Sequence, residues 1–285
     1  MKIIECPRDA MQGVSAFIPT VDKVRYINEL LKVGFDTIDF GSFVSPKVIP
    51  QMKDTSAVYK QLQFDQSNSR LLAIVANTRG ALDAAAYDGI SCIGFPLSIS
   101  ETFQRRNTNK SIPQALNSLE EIKEICLQSN KQLVAYISMG FGNPYSDPYH
   151  IDLVVSFVDI LLTLGADVIS LADTIGMATP KGIAKLFTSI STEYPEADIG
   201  VHLHSAKDGA IEKIDAAYNA GCKRLDGALK GYGGCPMAED ELVGNIATED
   251  IIGFIESKGV PTGIDKTKLR RALEIAAEIF PPSLK

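Results

Sequence analysis

The 285-residue chain has no apolar run of about 18 residues, the length a membrane-spanning helix needs. No CxxC pair occurs among its five cysteines (Cys6, Cys92, Cys126, Cys222, Cys235), which excludes the common structural zinc spacings. An odd, unpaired cysteine set without a secretory signal points to reduced thiols in a cytoplasmic compartment. Four of the five are expected simply to pack in the core. A glycine-rich dinucleotide fingerprint after the first apolar run is missing, and so are linkers and low-complexity tracts. One domain over residues 1–285 is therefore expected. Basic charge is in short supply: a net charge of −7 and a pI near 5.1 argue against a general polyanion-binding surface, so no nucleic-acid partner is expected. The opening "MKIIECPRDA" enters a strand at once and leaves no room for a signal or transit peptide. Histidine is the rarest chemistry-bearing residue, with three in the chain.

What is present is a rhythm of strand and helix. Apolar runs at 2–6, 37–42, 70–77, 92–97, 133–138, 167–173, 198–204 and 224–229 predict eight strands. Amphipathic segments at 20–34, 118–130, 149–165 and 208–221 lie between them, several ending in Gly or Asn. Parallel strands need crossover helices, and eight such units in this length most simply close into an α/β (β/α)₈ TIM barrel. An open doubly wound sheet is the alternative. Beyond the eighth strand, "EDELVGNIATEDIIGFIESKG" and "DKTKLRRALEIAAEIF" predict additional C-terminal helices, the last capping the barrel.

Barrel chemistry sits at the carboxyl ends of the strands, which filters the polar residues. Along "GVHLHS" (200–205) side chains alternate, so Val201 and Leu203 face the helices while His202 and His204 share the interior. Either histidine alone reads as a hydrogen-bonded core residue; the two together at a strand end read as ligands of one metal ion. Arg8 and Asp9 end the first strand, as a surface ion pair or as an oxyanion holder beside a metal carboxylate. Asp39, on the face of Thr37 and Gly41, needs a partner if buried. Asp173 has the parity of Leu171 and Ile169, and is either a turn cap with Thr174 or a base. Cys235 lies on a loop with Gly231, Gly233, Gly234 and Pro236; it is incidental, or it is a thiol able to deliver a proton. Ten residues on, Asn245 offers a metal a carbonyl oxygen.

Taken together, "PRDAMQ" (7–12), "SFVSPKVIPQM" (42–52), "SISETFQRRN" (98–107), "SLADTIGMATP" (170–180), "GVHLHS" and "GGCPMA…GNIATEDII" (233–252) resemble the 3-hydroxy-3-methylglutaryl-CoA lyase family of metal-dependent barrel lyases. The Ser42–Met52 stretch and the Gly-Gly-Cys-Pro loop are the most specific. The resemblance implies metal ligands at Asp9, His202, His204 and Asn245, an oxyanion-stabilising Arg8, a mobile catalytic Cys235, and substrate-side roles for Gln12 and Asp173. It also implies a divalent metal, Mg²⁺ or Mn²⁺ with zinc an alternative, an acyl-CoA substrate cleaved to acetyl-CoA and acetoacetate, and, by analogy with relatives, a homodimer. Asp39 or Asp173 would be the base for the hydroxyl proton. Lys47, Arg105 and Arg106 are the cationic candidates for coenzyme A phosphates. The departures are Asp39 where the family has glutamate, Ala10 for glycine, Ser205 for an acid or amide, charges at Lys207 and Asp240–Glu241, and one extra residue between Cys235 and Asn245. They leave two rivals open: a related aldol or Claisen lyase on another 3-hydroxy acyl-CoA or hydroxy acid, and a barrel that binds metal without turnover.

Overall fold

The computed structural model describes residues 1–234 and 243–280. Its strands are β1 (Lys2–Glu5), β2 (Thr37–Ser42), β3 (Arg70–Ile74), β4 (Ile90–Ser98), β5 (Gln132–Ser138), β6 (Val168–Ala172), β7 (Ile199–His202) and β8 (Arg224–Gly227). All neighbours run parallel in sequence order, and β8 closes back on β1 with Lys2 opposite Arg224. The α/β (β/α)₈ barrel is thus the architecture, and the open sheet is ruled out. The helices are α1 (Pro7–Gln12), α2 (Thr20–Leu30), α3 (Thr55–Tyr59), α4 (Thr78–Ala85), α5 (Glu101–Thr108) and α6 (Ile112–Gln128). They continue with α7 (Ile151–Thr163), α8 (Pro180–Glu193), α9 (Ala210–Asn219), α10 (Thr248–Ser257) and α11 (Lys266–Ile279). No described helix is long and apolar enough to cross a membrane.

Two differences from the sequence reading bear on the site. Arg8 and Asp9 lie not on a turn but on α1, a six-residue helix begun by Pro7, whose fixed φ suits a first helical position. The seventh strand stops at His202, opposite the last residue of β6, rather than at 204; beyond it the Ile246 amide donates to the Leu203 carbonyl. His204 pairs instead with Asn245 in an isolated antiparallel bridge.

The barrel interior is divided. Leu72, Ile74, Cys92, Val134, Tyr136 and Val168, from β3 to β6, form an inner cluster separate from the large core between barrel and helices. Across from it, β7 and β8 present Gly200, His202, Arg224 and Asp226 at alternating positions of one face. Four cysteines are described and all are free and buried: Cys126 and Cys222 pack in the large core and Cys92 in the inner cluster. Cys6 lies instead with His202 and Asp226, their ligand atoms all within 4.8 Å of one another.

On the outer side of β1, Glu5 is fully buried and meets the Thr248 hydroxyl and the Leu229 amide, tying β1 to α10. Burial pushes its carboxyl up from 4.5 to about 8. The folded value lies above the unfolded one, so the stabilisation from the bound proton is complete below about pH 4.5 and lost as pH rises through 8. Glu5→Gln removes this dependence. In urea titrations the variant should gain on wild type by about 1 kcal/mol per pH unit between pH 5 and 8. Parallel curves would show that Glu5 ionises without cost.

Candidate active site

At the carboxyl end of the barrel, α1 lays its polar side over the ends of β1 and β2. The Arg8 guanidinium donates to Asp39 Oδ2 from Nε at 3.0 Å and also from Nη2, and its Nη1 donates to Asp9 Oδ1 and Gln12 Oε1, both at 3.0 Å. Four of its five N–H groups are thereby engaged, and one on Nη2 is not used by these contacts. Burial works against the Arg8 charge, but Asp39 and Asp9 hold its pKa above the ordinary arginine value. Asp39 is completely buried; desolvation lifts its carboxyl to about 6 against the pull of Arg8, and its Oδ1 has no partner. A carboxylate poised there, with one free oxygen, can take a proton near neutral pH. Asp9 behaves oppositely: burial is outweighed by Arg8, His202 and His204, which keep it below the usual carboxylate value.

Asp9, His202 and His204 offer ligand atoms within 4.8 Å of one another, all buried. The imidazoles lie edge to face, with centroids 5.1 Å apart. His204 Nδ1 is 3.1 Å from the Thr174 carbonyl oxygen. A carbonyl only accepts, so the proton is on Nδ1 and Nε2 carries a lone pair, which has no partner although it is buried. His202 makes the corresponding contact from Nδ1 to Asp226 Oδ2 at 3.3 Å. Asn245 donates its amide to Asp9 Oδ2 at 2.7 Å and to the Tyr232 carbonyl at 2.9 Å, so its Oδ1 is left buried and unpaired. A buried acceptor without a donor costs about 1–3 kcal/mol. Two such acceptors beside an ionised carboxylate and a second imidazole make a cradle that a divalent cation satisfies, so the residues present fit a metal.

Asp173 is not brought to this cradle. Its Oδ2 takes Lys213 Nζ at 2.8 Å and its Oδ1 takes the Ala178 amide at 2.9 Å. The parity shared with Ile169 and Leu171 turns it outward, toward Lys213 and the Ala178 amide. Lys213 also donates to the His204 and Gly176 carbonyls, so this buried pair fastens the turns after β6 and β7. Asp226, Lys213 and the Thr174 carbonyl escaped the sequence reading. Asp226 had a usable signal, its position two residues from Arg224 on a strand beside β7.

The cavity over the cradle measures about 260 Å³. Arg8, Asp9, Gln12, His202 and His204 form its polar floor, and Val44, Val48, Ile49, Ile74, Pro96 and Tyr136 give apolar walls. Cys235 lies outside the described residues, as do Asp240 and Glu241. The chain leading to it is described. A Cβ on Gly233 (φ +90°) would stand 2.6 Å from the Asp9 carbonyl oxygen, so only glycine allows this approach to α1. Of the remaining cationic candidates, Lys47 is exposed, Arg105 pairs with Glu101, and Arg106 lies over the Tyr145 ring.

A family model described as HMGL-like matches residues 2–275. A hydroxymethylglutaryl-CoA lyase of Bacillus subtilis (strain 168) is 34% identical over 93% of this chain and 88% of its own length. A cytoplasmic 3-hydroxy-3-methylglutaryl-CoA lyase of Danio rerio is 33% identical over 95% of this chain and 81% of its own. Among solved structures, an HMG-CoA lyase of Acinetobacter baumannii in complex with coenzyme A and 3-methylmalate is similar with a TM-score of 0.90 and 32% identity, covering 98% of this chain and 90% of that one. Matches of this extent, on the same barrel, make the chain a member of the HMGL-like family.

Proposed function

We propose that this chain is a divalent-metal-dependent carbon–carbon lyase that cleaves 3-hydroxy-3-methylglutaryl-CoA to acetyl-CoA and acetoacetate. The observation that carries the reading is the cation cradle of Asp9, His202 and His204 in one apolar-walled cavity with Arg8, whose guanidinium is held from behind by the buried Asp39. Relatives a third identical over 88% and 81% of their own length bear the name of that lyase, which disfavours both the rival substrate and the barrel without turnover.

Asp9, His202, His204 and Asn245 would hold the metal. Carboxylate, amide oxygen and imidazole donors suit Mg²⁺ or Mn²⁺, with zinc the alternative. When bound, the cation supplies Lewis acidity that lowers the pKa of the substrate hydroxyl. The free oxygen of Asp39 takes the hydroxyl proton. As the bond between C2 and C3 breaks, its electron pair passes into the thioester, and the C3–O bond becomes the ketone of acetoacetate. Arg8 opposes the charge that grows on the thioester oxygen, using the N–H its neighbours leave over. Gln12, held between Arg8 and Asp9, fixes their geometry on the substrate side. The acetyl-CoA enolate carbon then takes a proton, for which Cys235 is the donor proposed from sequence. The apolar walls exclude water from that carbanion-like carbon. The coenzyme A ester of the substrate, a cytoplasmic location and a homodimer complete the proposal.

The decisive assay is acetoacetate release from hydroxymethylglutaryl-CoA before chelation, after it, and after return of Mn²⁺. Loss and recovery are expected; no release from Mn²⁺-loaded protein would overturn the reading. Because Asp39 acts ionised and titrates at about 6, kcat/KM should fall tenfold per unit below that pH. Asp39→Asn should remove this acid limb and lower kcat by about 10²-fold. An unchanged limb would pass the base role to another group.

A further inference from the structure

Beneath the cradle, the barrel interior holds two buried charged residues that the chemistry above does not use. His202 on β7 lies in register with Asp226 on β8. One alternation deeper on each strand stand Gly200 and Arg224, on the same faces. A Cβ on Gly200 would fall 2.7 Å from Arg224 Cγ and 2.7 Å from the Arg224 carbonyl oxygen, so the missing side chain is the space in which the arginine lies. Arg224 is 1% exposed and Asp226 3%. Asp226 Oδ2 meets His202 Nδ1 and also takes the Ser170 hydroxyl at 3.3 Å. Its Oδ1, Tyr136 Oη, and Arg224 Nε and Nη1 are all buried without a hydrogen bond, the Arg224 guanidinium reaching only Asp36 Oδ1 at 3.6 Å. Two buried charged residues and several groups without hydrogen bonds, inside a barrel that is elsewhere filled by Leu72, Val134 and Val168, are not explained by stability alone, since burying a charge costs desolvation that packed hydrocarbon avoids.

We infer that Asp226 is a positioning residue that fixes the His202 ring and keeps its proton on Nδ1, so that Nε2 is left as a metal donor. A carboxylate can only accept, which is why aspartate sets the tautomer. An amide in its place can donate to Nδ1 and drive the proton to Nε2, where it blocks a metal. The inference rests on His202 being a metal ligand, as proposed above.

The chain's three histidines make the test tractable by ¹⁵N NMR of histidine-labelled, metal-free protein, with Mn²⁺ affinity measured by calorimetry. Wild type should show His202 as the Nδ1–H tautomer. In Asp226→Asn that signal should move toward the Nε2–H form and Mn²⁺ affinity should fall by about 10- to 100-fold. If Asp226→Asn does not fold, Ser170→Ala loosens the same oxygen and should weaken Mn²⁺ binding by about threefold. An unchanged tautomer together with Mn²⁺ affinity within twofold of wild type, in a folded Asp226→Asn or otherwise in Ser170→Ala, overturns the inference. Wild type that binds no Mn²⁺ would instead sink the metal reading, and the tautomer measurement would still judge this one.

Discussion

Arg8→Gln is expected to lower kcat by about 10³-fold, or about 4 kcal/mol of transition-state stabilisation, while KM for the thioester changes little. The split follows from when the charge exists. The ground-state thioester oxygen carries little charge, and the guanidinium earns its effect only as the electron pair arrives. Glutamine at this position reproduces neither the fork that engages Asp39 nor the positive charge. A second consequence separates loss of chemistry from loss of fold. Without Arg8 the Asp39 carboxyl keeps its burial penalty and loses its counter-charge, so its pKa should climb above 6 and the acid limb should move toward neutral pH. The measurement is kcat across pH 5–9 on protein whose melting curve is intact. Retention of a tenth of wild-type kcat would remove Arg8 from the reaction.

The second large effect concerns His204. Its Nε2 is buried and unpaired, so in metal-free protein His204→Gln deletes an unsatisfied acceptor and should cost less than 1 kcal/mol. With cation the sign turns. Mn²⁺ at a hundredfold excess over Kd stabilises a binding protein by about 2.7 kcal/mol, and the variant should lose nearly all of this gain along with activity. Melting curves with chelator and with Mn²⁺ on both proteins give the full comparison. A variant that melts early in chelator and still gains from Mn²⁺ would make His204 a packing residue rather than a ligand.

The barrel was legible because each strand is a short apolar run bounded by helix signals. The small helices were not. α1 is six residues long, too short to show a period, and α5, "ETFQRRNT", has a polar surface with only Phe103 and Gln104 buried, so no apolar stripe announces it. The first turns of α6 were missed even though Ser111 and Gln114 form a capping box around Pro113, a signal that sequence does carry. Alternation put His202 and His204 on one side correctly in space, although the second is beyond the strand, because the chain stays extended to reach Asn245. For Asp173 the alternation alone left turn cap and base open; its outward parity with Leu171 accords with the contacts it makes to the Ala178 amide and Lys213. Lys213 could not be found at all, since lysine on an amphipathic helix ordinarily faces solvent. Its burial follows from acceptors on two other segments, Asp173 and the His204 carbonyl.

The contact between Asn245 and Asp9 joins residues 236 positions apart. A chain emerging from the ribosome therefore presents α1 long before the partner that orients its aspartate exists, and β1 waits equally long for β8. On the proposed function, a cradle that includes Asn245 can form only once the chain has been made through residue 245. Truncation ahead of β8 would remove that residue as well as the closed barrel.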